Sequence, residues 1–234
     1  MLRLLGVLLF HLHASTAART PATPNFPVAQ ASDRGHSPPD ELTLPLLQAA
    51  RRGDGEEVRD LIGRGADPSA VGTNGFTALI VAANGGHVEA AEICLAAHAG
   101  VDVCGKGGLC AIHAAAGQGH VAMVRLLCAA GASLHAATTS GFTPLMYAAQ
   151  GNRHRVVEVL VANGAAVDAT GKTGYTALHA SCAGGQCDAA AALLDAGADI
   201  AARGSEGFTA LHLASLRGHV RVVELLLRRS AELE

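Results

Sequence analysis

Histidine and cysteine are the side chains most capable of chemistry in this sequence, which contains twelve histidines and six cysteines. Nucleophilic catalysis requires a serine or cysteine beside a histidine that a carboxylate orients. No serine or cysteine stands in a local motif of that kind. The glycine pairs, such as Gly85-Gly86 and Gly184-Gly185, fall in turns between predicted helices and do not form a phosphate-binding loop. The sequence therefore predicts no catalytic residues and no cofactor.

Metal binding is the second chemistry that cysteines suggest, because zinc modules hold their ion with pairs of closely spaced thiolates. Cys104 and Cys110 are separated by five residues, and Cys182 and Cys187 by four. Neither pair has the short paired spacing of a zinc module. The sequence therefore predicts no metal site.

The composition indicates what kind of secondary structure must hold these histidine and cysteine side chains. Hydrophobic residues make up 50% of the chain, which excludes wholesale disorder. The net charge of -3 argues against a general nucleic-acid binder, which needs a clustered basic surface. Aromatic residues are only 3%, while alanine is about a fifth of the chain and there are 28 glycines. Such small residues favour many thin layers of closely packed helices over one large core.

Five short segments recur every 33 residues without insertion, and they read GFTALI, GLCAIH, GFTPLM, GYTALH and GFTALH from Gly75 onwards. A second mark, such as AANGGH from Ala82, follows each of them, and a Gly-Ala pair ends the unit at Gly131, Gly164 and Gly197. This pattern resembles the ankyrin repeat. The resemblance implies an all-α repeat solenoid with short β-hairpin or turn loops. Its predicted repeats are 42–74, 75–107, 108–140, 141–173, 174–206 and a truncated 207–234.

The local chemistry of the repeat agrees with this fold. Each first helix follows a threonine whose hydroxyl can cap it, at Thr77, Thr143, Thr176 and Thr209. Pro144 stands at the first helical position, where its missing N–H costs no hydrogen bond. The three glycines of the Gly-Ala pairs suit a left-handed helix stop.

The period also accounts for six of the twelve histidines. In ankyrin-like proteins the two recurring histidine positions bond neighbouring backbone and hydroxyl groups, so these side chains are expected to be structural. They are His113, His179 and His212 in one set, and His87, His120 and His219 in the other.

The cysteines fall at positions where small apolar residues are expected. Cys94 and Cys128 occupy core positions of second helices, Cys182 replaces an alanine, and Cys110 replaces the capping threonine. An even number of cysteines in a secreted chain invites a disulfide framework. Their placement instead predicts free thiols that act as small hydrophobes and mildly favours a reducing compartment such as the cytoplasm.

Residues 1–41 precede the array, a term used here for residues 42–234. Residues 1–18 have a lone Arg3, a short apolar run and small residues, which is typical of a secretory signal peptide, and an organelle transit peptide is the alternative. The apolar run is too short to span a bilayer. Residues 19–41 are rich in proline and are predicted to be a disordered linker.

The resemblance implies a noncatalytic module that presents a rigid concave groove to a protein partner. In such proteins, partners lie across the hairpin tips and first helices. An apolar stripe at 33-residue spacing runs through those positions, where it can pack the hairpins, bind the partner or do both. The matching residues are Thr73, Asn74, Phe76, Lys106, Leu109, Gln118, Thr139, Ser140, Phe142, Tyr147, Gln150, Lys172, Thr173, Tyr175, Ser205, Glu206, Phe208 and Arg217.

Two other functions fit the sequence as well. The array can be the recognition or adaptor arm of a larger enzyme complex, such as a ubiquitin ligase, or a secreted effector. The sequence ends soon after the last second helix without a polar capping repeat. Either its last charged residues form the cap, or the chain is the front part of a longer array. The uncovered leucines and valines predict possible self-association through the C-terminal repeat.

Overall fold

The computed structural model describes residues 41–232 of the chain, and this range contains twelve α-helices and no strand. The predicted signal peptide and all but Glu41 of the predicted linker lie outside the described residues. The helices are α1 Thr43–Arg52, α2 Gly55–Gly63, α3 Ala78–Gly85, α4 Val88–Ala96, α5 Ala111–Gln118, α6 Val121–Ala129, α7 Pro144–Gln150, α8 His154–Ala162, α9 Ala177–Ala183, α10 Cys187–Asp195, α11 Ala210–Leu216 and α12 Val220–Ala231.

The helices form two rows. The odd-numbered helices, which are the first helices of the repeats, pack on one another in one row, and the even-numbered helices form the second row. Each helix also contacts its partner within the same repeat. This arrangement confirms the predicted all-α repeat stack.

Alanine pairs explain why the first helices can approach so closely. Ala82 and Ala83 of α3 and Ala148 and Ala149 of α7 are 0% exposed. Because their side chains are only methyl groups, the neighbouring backbones can approach closely. A leucine beside each pair, such as Leu145 at 1% exposure, supplies the apolar area that stabilises each layer.

The predicted helix starts are confirmed. Thr77 Oγ1 accepts a hydrogen bond from Ile80 N–H at 3.3 Å, and Thr143 Oγ1 accepts one from Met146 N–H at the same distance. Thr176 and Thr209 cap α9 and α11 in the same way. Pro144 is the first residue of α7. Each cap satisfies an N–H group that has no partner inside the helix.

The residue at one position of the repeat determines where the second helix stops. Gly131, Gly164 and Gly197 have φ of 82°, 95° and 84°, which confirms the predicted left-handed stop. The last repeat has Ser230 at this position, and α12 continues to Ala231. His98 holds the position in the second repeat and takes the left-handed conformation with φ of 63°. A residue with a Cβ is strained in that conformation.

We expect His98→Gly to stabilise the protein by about 1 kcal/mol, because glycine adopts this φ without the Cβ penalty. The His98 side chain is exposed, so its removal costs little packing. The free energy of unfolding, measured in urea, checks the prediction.

The matched control is Ala97→Gly one residue earlier, where φ is -85° and glycine brings no relief. This control should be neutral or destabilising by up to about 1 kcal/mol. If the two substitutions change the free energy of unfolding equally, the backbone at His98 is not strained.

Candidate partner-binding surface

Five tight turns, here called the tips, connect successive repeats. The first and last residues of each tip are joined by an N–H···O=C bond, as in the 2.9 Å bond from Gly72 N–H to the Phe76 carbonyl. The corresponding distances in the other tips are 2.8 to 3.0 Å. The tips therefore have hairpin geometry without forming strands. They are residues 72–76, 105–109, 138–142, 171–175 and 204–208.

Backbone hydrogen bonds also join three of the four pairs of neighbouring tips. Lys106 N–H donates to the Gly75 carbonyl at 2.8 Å, and Thr139 N–H donates to the Gly107 carbonyl at 2.8 Å. Ser205 N–H donates to the Thr173 carbonyl at 3.1 Å. Because these bonds use backbone atoms, they fix the spacing of the tips and leave the side chains free to point outward.

The predicted site residues differ in how much surface they offer. Phe76 is buried, with 8% exposure, and offers the least. The exposed ones are Thr73, Lys106, Thr139, Ser140, Gln150, Lys172, Thr173, Ser205 and Glu206. The half-buried ones are Asn74, Leu109, Gln118, Phe142, Tyr147, Tyr175, Phe208 and Arg217.

The rings of the apolar stripe contribute to packing. The Tyr175 ring lies 5.2 Å from the His179 ring, and Phe142 meets Tyr147 edge to face at 5.8 Å. A Cβ placed on Gly204 would lie 2.1 Å from the Tyr175 ring, so this ring packs directly on the following tip. The Tyr175 ring therefore packs between two tips, while Phe142 and Tyr175 both remain partly exposed.

Two buried histidines form hydrogen bonds with backbone groups in or beside the tips. His113 and His179 are 0% and 1% exposed. Their Nε2–H groups donate to the Ala136 and Phe208 carbonyls at 3.0 and 3.1 Å. Their Nδ1 atoms accept from the backbone N–H at the start of their own helix. Both ring nitrogens are therefore used by a neutral imidazole.

Burial lowers the pKa of both His113 and His179. Because the pKa in the folded state lies below that of the unfolded chain, the neutral rings stabilise the stack at neutral pH. This contribution is lost as the pH falls through the folded-state pKa. The hydrogen bonds of both rings therefore support a structural role.

The second set of histidines joins consecutive repeats. The Nε2–H groups of His87, His120 and His219 donate to carbonyls of Arg51, Asn84 and Ala183 at 3.0 to 3.1 Å. The predicted structural role of both histidine sets is therefore confirmed.

A family model described as ankyrin repeats (3 copies) matches the chain over residues 46–138, 94–171, 130–204 and 171–234. This chain belongs to the ankyrin-repeat family. A search of curated proteins found no significant match. Ankyrin repeats generally mediate protein–protein interaction, and the family is typically noncatalytic.

One prediction for the cysteines of this ankyrin stack is wrong. Cys104 and Cys110 form a disulfide, although the sequence predicted free thiols throughout. They flank the tip 105–109 and lie opposite each other across it, with Cα atoms 4.1 Å apart. The signal was present in the sequence, since two cysteines six positions apart bracket a tight turn. Treating each cysteine by its own place in the repeat missed the pairing.

Two of the other cysteines are buried as predicted, whereas Cys128, for which the sequence predicted a core position, is only half-buried. Cys94 and Cys182 are 0% exposed, and burial raises the pKa of their thiols to about 11 and about 12. Both thiols therefore stay protonated and act as small hydrophobes. Cys128 and Cys187 are half-buried and free.

The turn of the fourth repeat contains contacts that sequence reasoning missed. Asn152 has a left-handed φ of 56°, and its Oδ1 accepts from Ala189 N–H at 3.0 Å in the next repeat. Its Nδ2 donates to Asp188 Oδ2 at 3.2 Å. Arg153 Nε donates to the Gly117 carbonyl at 3.1 Å, which is the bond that histidine makes elsewhere. Asn152 and Arg153 together therefore link three consecutive repeats.

Within residues 41–232, no group of three or more His, Cys, Asp or Glu side chains is arranged to hold a metal ion. None of the helices in the same range combines the length and apolar character that a membrane span requires.

The outer side of the last described repeat is largely uncovered. Leu216 and Val220 are each 65% exposed, and Leu227 is 53% exposed. His212 is exposed, whereas the equivalent His113 and His179 are buried beneath the following tip. This face carries the apolar and polar groups that interior repeats use to bind the next repeat.

Proposed function

We propose that residues 42–234 form a noncatalytic module that binds a protein partner across a concave groove lined by the tips and first helices. The observation that supports this function best is the backbone hydrogen bonding between neighbouring tips. A surface whose spacing is already fixed loses little conformational entropy on binding. Affinity can then come from side chains that need no rearrangement of the backbone.

The chemistry of the tips defines the kind of partner surface that would fit. Exposed Lys106 and Lys172 offer cationic donors on two tips, and Glu206 offers an acceptor on the last. Exposed hydroxyls stand between them, as at Thr139 and Ser205. The half-buried rings of the stripe add anchor points of the kind that dominate interface energies. The partner surface is therefore mixed in polarity, with carboxylates facing the two lysines.

A capture experiment with residues 42–234 as bait tests this function. The tip variant Lys106→Glu/Lys172→Glu reverses two exposed charges on the tips. The matched control Arg125→Glu/Arg155→Glu reverses two exposed charges on the second helices α6 and α8. We expect partners to be captured by the unaltered bait and by the control, and to be lost from the tip variant. If the control alone fails to capture partners, the binding surface lies on the second helices.

Self-association is proposed for the C-terminal repeat, with a second copy of this chain covering Leu216, Val220 and Leu227. This surface continues the contacts made inside the stack, where each interior helix pair packs against similar pairs on both sides. Residues equivalent to Val220 and Leu227, such as Val121 and Leu194, are half-buried there. Burying three large apolar side chains from each copy removes enough apolar surface to favour association.

We expect residues 207–232 to exchange their amide hydrogens fastest within the array of a protein that ends at Glu234, because only one neighbouring repeat stabilises them. Hydrogen exchange followed by mass spectrometry measures this. Adding a polar capping repeat after Glu234 should slow the exchange and yield a monomer. Uniform exchange from residue 76 to residue 226, together with a monomer at high concentration, would show that the charged tail is a sufficient cap.

A further inference from the structure

The tip 105–109 is chemically unlike the other four. The two residues that flank each tip lie opposite each other, and in four tips the second of them is a threonine that caps the following helix. The tip 105–109 has cysteine at both flanking positions, joined as a disulfide. The flanking pairs are Val71 and Thr77, Cys104 and Cys110, Ala137 and Thr143, Thr170 and Thr176, and Arg203 and Thr209.

The disulfide lies at the tip whose conformation is least restrained by a helix cap and by its own residues. Cys110 is the N-cap of α5, and a sulfur atom accepts hydrogen bonds more weakly than a threonine hydroxyl. Both Gly107 and Gly108 take left-handed φ of 73°, whereas each of the other tips has a single such glycine. Glycine loses the most conformational freedom on folding. The conformation of the tip 105–109 therefore depends on its disulfide. The other four tips have stronger helix caps and fewer left-handed glycines, and they need no such link.

The two cysteine residues differ in their exposure to solvent. Cys104 is exposed, and Cys110 is 1% exposed. A thiol reagent can therefore reach Cys104 and is kept from Cys110. The link closes a loop of only a few residues, and such short loops give the least stabilisation by cross-linking. Reduction thus leaves the rest of the stack with its own stabilising contacts.

We propose that Cys104 and Cys110 form a reversible thiol–disulfide site that exchanges with low-molecular-weight thiols and disulfides of the glutathione class. In the oxidising direction, the Cys104 thiolate attacks one sulfur of glutathione disulfide and releases one glutathione thiolate. The Cys110 thiolate then attacks Cys104 Sγ of the mixed disulfide and releases the second glutathione. Two protein thiols are oxidised and one glutathione disulfide is reduced to two thiols, as the two cysteine protons pass through solvent to the two released glutathione thiolates.

The site has a consequence for the candidate surface, and this part rests on the proposed function. Lys106 and Leu109 of the predicted partner surface lie between the two cysteines. Lys106 N–H and the Gly107 carbonyl also make the bonds to the tips on either side. Reduction loosens this tip and, through its bonds, the first three of the five tips. Oxidising conditions therefore favour the binding-ready surface.

The experiment equilibrates the full-length protein with defined ratios of reduced to oxidised glutathione, followed by acid quenching, alkylation and peptide mass spectrometry. We expect one intramolecular disulfide, linking the peptides that carry Cys104 and Cys110, with four cysteines alkylated. Amide exchange over residues 105–112 should be about tenfold or more faster in the reduced protein. These measurements need no partner, so they are independent of the proposed function.

Two variants complete the test. Cys104→Val/Cys110→Thr installs the residues found at the first tip, and it should give slow exchange over residues 105–112 whatever the glutathione ratio. Cys128→Ser removes a free cysteine and should leave the redox response unchanged. The proposal is overturned if the pair stays reduced at every ratio, if it cannot be reduced by glutathione, or if exchange over residues 105–112 is the same in both states.

Discussion

Replacing Gly141 with alanine is expected to destabilise the protein by about 3 kcal/mol. Alanine at φ of 82° costs about 1 kcal/mol through its Cβ. The new Cβ would also lie 2.4 Å from Lys172 N, a backbone atom of the next tip that cannot rotate away. Such overpacking costs about 1–3 kcal/mol in addition. Urea unfolding followed by circular dichroism measures the loss.

Gly207→Ala is the matched control for Gly141→Ala. Gly207 holds the same position in the last tip with φ of 80°, and a Cβ there would have no described atom within 4 Å. Its substitution should cost only the conformational penalty of about 1 kcal/mol. Equal losses at Gly141 and Gly207 would show that the contact between neighbouring tips does not limit the side chain.

The double substitution Phe142→Ala/Tyr175→Ala is expected to weaken partner binding by about 2 kcal/mol or more, which is about thirtyfold in Kd. Both residues are half-buried and remain partly exposed at the candidate surface. Folding should remain a cooperative transition with a lower Tm, because both rings also pack on neighbours. Calorimetric titration with the captured partner, performed well below the Tm, measures the affinity.

Phe76→Ala separates packing from binding. Phe76 belongs to the same stripe but is only 8% exposed, so its loss should reduce stability and leave the Kd of the folded protein unchanged. If the Phe142 and Tyr175 variant keeps full affinity while its Tm collapses, the stripe serves packing alone.

Regular features of the fold could be predicted because the same local cause acts in every repeat. Thr77 and Thr143 bind the N–H groups three residues later, and this contact depends on neighbouring residues alone. Helix stops at Gly131 and Gly164 are likewise local, since they follow from the φ that glycine permits. A 33-residue period then places such features in register without knowledge of distant contacts.

Irregular features were harder to predict because they depend on residues brought together across a turn or between repeats. The pairing of Cys104 with Cys110 requires the geometry of the tip between them. The role of Asn152 depends on its contact with Ala189 near the start of α10. These two residues are 37 positions apart in the sequence. The burial of Phe76, compared with the half-buried Phe142 and Tyr175, also depends on three-dimensional surroundings that equal spacing does not reveal.

The bonds by which histidines join consecutive repeats end on backbone carbonyls, as in the bonds of His120 to Asn84 and of His219 to Ala183. A carbonyl acceptor is present whatever side chain the residue carries. Arg153 uses such an acceptor as readily as histidine does. A unit duplicated or deleted by recombination therefore meets acceptable partners at its new junctions. The length of this array can evolve in whole steps of 33 residues while each surviving unit diversifies its outward-facing side chains independently.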